Sequence, residues 1–393
     1  MQPEREVSNA KAYHNALLYL KSKNLYTNFN LWISNNLTLK IIQCDLINYQ
    51  NQKVSTGMGK GINFEPILGA VFEALEHYTY ENQKISTRRM SLKETLLNNA
   101  ILLEDVAIKV ALKENIHKKI LVTRFSNIYQ NKSDLYYPTS LIDTNVNDNN
   151  INYNSHIYQY SSNSGYASGS TISEAMLHSI NELIERDSFS KLLIKYGMNK
   201  DEDIIAYQID IQTLPKKLYK LFKDIETTTN GTLSLVKINN KFQIPTYVAI
   251  LKNKRKYIFP LYGAGTSLIE EYAVERALTE VFQASCVFNS DDVNMFKYMK
   301  NLWHKVPGMI DLISFDFIKK IKYSKYICNN QYRDVQVKKL LSSELNILSN
   351  CNVNIYIRRI IDDINFNVVQ CLIPQFSKFN LVLEGKVLLP YIE

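Results

Sequence analysis

Glu73 and Glu76, Glu182 and Glu185, and Glu280 with Gln283 stand three residues apart in three separate, largely apolar stretches. At about 100° per residue, that spacing keeps both side chains on one helix face. Eight residues before the first member of each pair stand Glu65, Glu174 and Tyr272. The fullest copy lies between Ser161 and Asp187. There Glu174, His178, Asn181, Glu182 and Glu185 fall within roughly a quarter of the helix circumference. Leu177, Ile180, Leu183 and Ile184 cover the rest of its inner surface. Carboxylates set among Leu, Val and Phe, as in residues 66–78, must be paired, protonated or metal-bound. Clustered carboxylates repel, and removing them from water is costly unless something positive faces them. Hard divalent cations are the natural partners, because Mg²⁺ takes oxygen ligands in octahedral geometry and shares them with phosphates.

Each pair follows the same design: a strand, a small-residue loop, then an apolar helix. The loops hold Gly59-Lys60-Gly61, Gly165-Tyr-Ala-Ser-Gly169 and Gly263-Ala-Gly265. Such loops at helix N-termini are expected to offer N–H groups to anions. Lys60, Arg186 and Arg276 would add cationic contacts to phosphate. In the third helix Arg276, Glu280 and Gln283 form a stripe at i, i+4 and i+7. Repeated units pack on one another, which would bring the three acidic faces to one cleft. Together these parts predict a Mg²⁺–ATP site. One isolated Glu pair on a helix is usually a solvated face; three copies at matching offsets are what carry the reading. Gly59-Lys60-Gly61 is not a Walker motif. His77, His156 and His178 are candidate bases, each equally readable as a polar residue at the rim of the core, so no catalytic residue is identified. Cys286 has no Cys–His spacing that would make it a nucleophile and reads as packing.

The whole chain sets the context. It has 393 residues, 46% hydrophobic and 21% charged, with a net charge of +8, as in an ordinary globular protein. The densest basic run, Lys252–Lys256, reads as a hairpin tip, and no basic stripe accompanies the tyrosines, so nucleic acid is not expected as a partner. Cys44, Cys286, Cys328, Cys351 and Cys371 are odd in number and lack C-x-x-C spacing, which argues against a zinc site or a disulfide framework and suits a reducing cytoplasm. No signal peptide and no apolar run of membrane-spanning length is present. Residues 8–23 read as an amphipathic helix opened by a Ser8 cap. Leu31–Ser34, Leu39–Asn48, Ile120–Phe125, Leu233–Ile238, Pro245–Leu251, Tyr257–Leu261, Val353–Ile361 and Val368–Ile373 read as strands. Helices are expected at Leu92–Leu102, Gln212–Glu226 and Ile269–Phe288, and a mobile loop at residues 143–154. Strands and helices interleave with no Pro- or Ser-rich linker, so the expectation is a mixed α/β (α+β) chain forming one domain over residues 1–393. The three motifs lie within residues 55–290, and residues 291–393 form an integral extension.

The segments Asn163–Gly169 with Glu174-Ala175 and Asn181-Glu182 through Asp187, Gly59–Gly61 with Glu73 through Tyr78, and Gly263–Gly265 with Glu275-Arg276 through Gln283 resemble the signature of the YcaO family. The resemblance implies a fold of repeated strand–loop–helix units around a central nucleotide, with ATP held through Mg²⁺. By resemblance, Glu73, Glu76, Glu182 and Glu185 would be the metal-side ligands. Arg186, Arg276, Glu280 and Gln283 would contact phosphate or metal. Asn163, Ser164 and Glu174 would line the nucleotide pocket, with Lys60 and Ser55 contributing. Family members use ATP to activate peptide backbone amides. The expected reaction is cyclodehydration of Cys, Ser or Thr to azolines in a ribosomally made peptide natural product. The alternatives are thioamide or amidine formation, or a non-catalytic scaffold. Tyr166 and Ser168 replace the usual small or aliphatic residues of their loop, His77 stands where Arg is frequent, and Leu389–Glu393 is not proline-rich. No leader-binding module is recognisable. The expected partners are therefore the precursor peptide and a separate ThiF-like or leader-binding protein, or a sulfur-handling one for thioamides, and a homodimer is compatible.

Overall fold

The computed structural model of the chain describes residues 3–32, 39–62, 64–114, 118–129, 133–146, 148, 149, 151 and 155–389. Ser34, part of the expected loop 143–154, and Pro390–Glu393 lie outside them. The chain opens with α1 (Asn9–Ser22), β1 (Leu25–Trp32), β2 (Leu39–Asn48), β3 (Lys53–Ile62) and α2 (Glu65–Asn82). Next come β4 (Thr87–Met90), α3 (Leu92–Asn98), α4 (Val106–Lys113), β5 (Ile120–Asn127), β6 (Leu135–Pro138), β7 (Tyr166–Gly169) and α5 (Ile172–Leu192). Then follow β8 (Ile205–Asp210), α6 (Lys216–Thr229), β9 (Thr232–Asn239), β10 (Thr246–Lys252), β11 (Leu261–Thr266) and α7 (Glu270–Val287). The last elements are α8 (Ser290–Trp303), α9 (Met309–Ile313), β12 (Tyr323–Lys325), α10 (Val337–Asn350), β13 (Tyr356–Asp362) and β14 (Asn367–Leu372).

The strands form three sheets, in the orders β1-β2-β3, β11-β10-β9-β8-β12 and β4-β5-β13-β14-β7, with β6 also paired to β5. All pairs are antiparallel except β12 on β8, a three-residue strand that no periodicity announced. The late strands β13 and β14 sit between β5 and β7, so the last part of the chain completes the sheet that carries the second motif. The local signals hold where they are local. Ser8 accepts from the Lys11 amide to cap α1, Pro66 sits in the first turn of α2, and Lys252–Lys256 lies in the turn joining β10 to β11.

The three repeats are present as strand–helix pairs: β3 with α2, β7 with α5, and β11 with α7. The glycine-rich segments are not loops, however. Apart from Gly165, which stands in the turn before β7, they are the strands themselves, and the third strand begins at Leu261 rather than Tyr257. A Cβ on Gly59 would stand 1.7 Å from the Pro66 carbonyl oxygen, and one on Gly263 2.2 Å from the Val281 amide nitrogen. The helix backbone thus lies directly on the strand backbone, and only glycine permits that approach. Their function is close helix-on-sheet packing rather than an anion cradle. Among the described residues all five cysteines are free, and no helix is long and apolar enough to cross a membrane.

Candidate active site

α2, α5 and α7 present their acidic faces to one cleft of about 730 Å³. Lys60, Glu73, Glu76, Asn163, Glu174, Glu182, Glu185, Arg186, Arg276, Glu280 and Gln283 all line it. Two expected residues do not. Ser164 stands behind Arg186, whose Nη1 donates to its hydroxyl at 2.6 Å, so it orients the guanidinium instead of facing the cleft. Ser55 is buried and donates to the Ala74 carbonyl at 2.8 Å, which ties β3 to α2.

The carboxylates are held by backbone amides and opposed charges. Glu76 accepts from the Ser168 amide at 2.8 Å, and Glu182 from the Gly165 amide at 3.3 Å. Glu182 also pairs with Arg186 at 2.5 Å, one helical turn on. Lys60 Nζ reaches Glu280 at 3.1 Å, linking β3 to α7 across the cleft. Arg276 is half-buried, its buried Nε has no hydrogen-bond partner, and its guanidinium lies 6.0 Å from the Tyr272 ring centroid.

Burial pushes the Glu76 carboxyl up to about 8, aided by the neighbouring Glu182 and Glu73. Glu73, Glu182 and Glu185 move the same way, burial first; Glu280 adds to the rise at each, while His77 and Lys60 oppose it at Glu73, Arg186 at Glu182 and Arg276 at Glu185. Glu270, more deeply buried than these acids, is bonded by Tyr247, Lys237 and the Asn329 amide. Glu270 is a satisfied structural acid, whereas the cleft acids are under-compensated. Burial opposes the charge on Arg276, but Tyr272, Glu185, Glu4 and Glu280 surround it and keep it protonated.

Among the described residues no group of three or more His, Cys, Asp or Glu side chains is arranged to hold an ion by itself. Mg²⁺ shared with a phosphate chain takes one or two carboxylates and keeps its remaining positions for water and phosphate oxygens, and the cleft offers the pairs Glu73–Glu76 and Glu182–Glu185. The carboxylates are hard oxygen ligands, and the unpartnered Arg276 Nε is a donor suited to an anion.

Of the candidate bases, His178 lines the cleft and is held neutral by burial and by Arg276, Arg5 and Lys60. His77 also lines it, with Nδ1 2.7 Å from the Thr56 carbonyl, so that nitrogen donates and Nε2 is the basic one. His156 lies elsewhere, exposed beside Glu114. Cys286, in the last turn of α7, packs against the core.

The sequence reading missed three groups. Tyr262 lies close to Arg186, Glu185 and Glu280. Phe259, Phe288, Phe296 and Phe315 form an apolar end of the cleft. Glu4 and Arg5 enter it from the N-terminal segment. Glu4, Arg5 and the phenylalanines come from outside the repeated motif, and Tyr262, although in β11, is no part of the helix spacing that points to the acids.

A family model described as YcaO cyclodehydratase, ATP- and Mg²⁺-binding, matches residues 58–377. Among curated proteins none matches the chain. Among solved structures the chain is similar to a heterocyclase in complex with substrate and cofactor, at TM-score 0.66 and 16% identity over 96% of this chain and 55% of that one. It is similar to YcaO from Methanopyrus kandleri bound with AMPPCP and Mg²⁺, at TM-score 0.64 and 13% identity over 98% and 95%. The third is the E. coli microcin synthetase McbBCD complex with pro-MccB17 bound, at TM-score 0.61 and 16% identity over 89% and 88%. The chain spans about half the length of the heterocyclase chain. At these identities the likeness is one of fold.

Proposed function

This chain belongs to the YcaO cyclodehydratase family, an ATP- and Mg²⁺-binding enzyme family, and from that premise we propose that it activates backbone amides of a ribosomally made peptide to form azolines. The observation that carries this reading is the convergence of Glu73, Glu76, Glu182, Glu185, Arg186, Arg276 and Glu280 on one cleft. Glu73, Glu76, Glu182 and Glu185 would hold Mg²⁺. Lys60, Arg186, Arg276, Glu280 and Gln283 would meet phosphate or its metal. Asn163 and Glu174 would take the nucleoside side. When bound, ATP would supply the phosphoryl group that turns the carbonyl oxygen of the residue preceding the cyclising Cys, Ser or Thr into a phosphate leaving group. The cationic side chains would counter charge that develops on the phosphate oxygens, a role that preorganised groups in a water-poor cleft perform well. Of the histidines on the cleft, His77, with Nδ1 engaged by the Thr56 carbonyl, would be the one to take a proton from the attacking thiol or hydroxyl.

We take residues 1–393 as one domain, supported by the way β13 and β14 complete the sheet of β5 and β7, and as cytoplasmic, which five free cysteines suit. The microcin synthetase with its bound pro-MccB17 is a McbBCD complex; by analogy, a separate protein would present the peptide here. The test is incubation with ATP, Mg²⁺, the candidate precursor peptide and its partner, read by mass spectrometry. Loss of one water per modified Cys, Ser or Thr is expected. Replacement of oxygen by sulfur would instead identify a thioamide-forming enzyme, and no mass change with any precursor would overturn the reading.

A further inference from the structure

Residues 4–6 fold back into the cleft against α5. Arg5 Nη1 donates to Glu174 Oε2 at 3.1 Å, and the Glu6 amide donates to Glu174 Oε1 at 2.6 Å. With the Ser170 amide at 3.0 Å, these bonds occupy both oxygens of Glu174, which is only 4% exposed. Glu4 accepts from Ser267 and Asn181, at 2.5 and 3.2 Å. It also lies close enough to Arg276 to act as its counter-charge. The Arg5 guanidinium lies 5.1 Å from the centroid of the Phe72 ring.

We propose that the Glu4–Glu6 segment is a built-in mimic of the nucleotide that occupies its subsite and must swing out before ATP binds. This rests on the reading of the cleft as a nucleotide site. Chemically the match has two parts. Donors from Arg5 and Glu6 satisfy a carboxylate that a ribose diol could satisfy, and the Glu4 carboxylate stands by an arginine that a phosphate could pair with. The docked state also carries visible costs. Glu4 has φ +58°, a left-handed conformation unfavourable for a residue with a Cβ. It lies near Glu344, a buried carboxyl with neither oxygen bonded. Docking leaves Arg276 Nε, Asn181 Oδ1 and Ser170 Oγ buried without partners. A ligand with more donors and acceptors than this segment would satisfy them, so the segment is displaceable rather than a permanent wall.

The apparent affinity of a site that is open only part of the time falls by that open fraction, about 10–100-fold for a segment docked about 90–99% of the time. The test uses the full chain and AMPPCP with Mg²⁺, with affinity measured by calorimetry. The Glu4→Ala/Arg5→Ala double variant should bind at least about tenfold more tightly than wild type. An unchanged or weaker affinity would overturn the inference and make the segment part of the binding wall. Amide exchange on the wild-type protein gives a second reading that needs no substitution. Saturating AMPPCP with Mg²⁺ should speed exchange of the Glu6 amide as it leaves Glu174, and unchanged or slowed exchange would overturn the inference while leaving the nucleotide reading intact. If neither protein binds AMPPCP at any concentration, the nucleotide reading falls and the inference with it.

Discussion

Glu185 and Glu270 show how differently two glutamates of one fold are compensated. Glu270 is buried and met by Tyr247, Lys237 and a backbone amide; Glu185 is half-buried on the cleft, where desolvation and Glu280 push its carboxyl up. Replacing Glu185 by Gln keeps the shape and removes the charge. ATP turnover with peptide present should fall by about 100-fold or more, roughly 2.7 kcal/mol of transition-state stabilisation. The melting temperature of the metal-free protein should stay level or rise, because an under-compensated half-buried carboxyl is lost. Wild-type turnover in this variant would remove Glu185 from the metal side of the site. The spacing of the Glu pairs made these residues legible, because three-residue spacing on a helix is a local property. Ser164 and Ser55 were misplaced for the opposite reason: whether a hydroxyl in a small-residue segment faces a cleft or a neighbouring backbone depends on chains packed from elsewhere.

At the scale of the element, the unit is a glycine-bearing strand with a helix laid on it. α7 carries Arg276, Glu280 and Gln283, and its backbone rests on β11. A Cβ at Gly263 would meet the Val281 amide nitrogen at 2.2 Å and the Ala277 carbonyl oxygen at 2.6 Å. Backbone cannot swing aside as a flexible side chain can, so α7 must lift. We expect Gly263→Ala to destabilise the protein by about 1–3 kcal/mol in urea unfolding. It should also depress ATP turnover at temperatures where the variant is still folded, through displacement of Glu280 and Arg276. Stability within about 0.5 kcal/mol of wild type would show that the contact relaxes freely. The strand–helix repeat itself was readable from the chain. The glycines were misread as anion-binding loops because a Gly-rich run before a helix suits both a loop and a tightly packed strand. The difference lies in the sheet partners, β2 for β3 and β10 for β11, which are not local.

For the molecule as a whole, the acidic cleft makes stability depend on pH. Glu76, raised from the ordinary value of 4.5 to about 8, holds a proton in the fold that the unfolded chain has already lost, and Glu73, Glu182 and Glu185 shift in the same direction. Their contribution to stability is therefore complete below about 4.5 and is lost as pH rises through about 8. Without metal, melting should be lower at about pH 8.5 than at about pH 6, and Mg²⁺, which binds the ionised acids, should stabilise more at the higher pH. Thermal melts at both pH values, with and without Mg²⁺, check this; a larger Mg²⁺ effect at the lower pH would contradict it. By itself the sequence determined the three acidic helix faces, their order, and the charged groups beside them. Helix periodicity is set by neighbours three and four residues away, and an apolar background makes a carboxylate conspicuous. Only the tertiary structure decided what closes the cleft: Tyr262, the Phe259–Phe315 end, and above all Glu4 and Arg5. Arg5 meets Glu174 across 169 positions of sequence. No period or motif encodes a contact of that range; it exists because packing on three sheets brings both ends of the separation to one place.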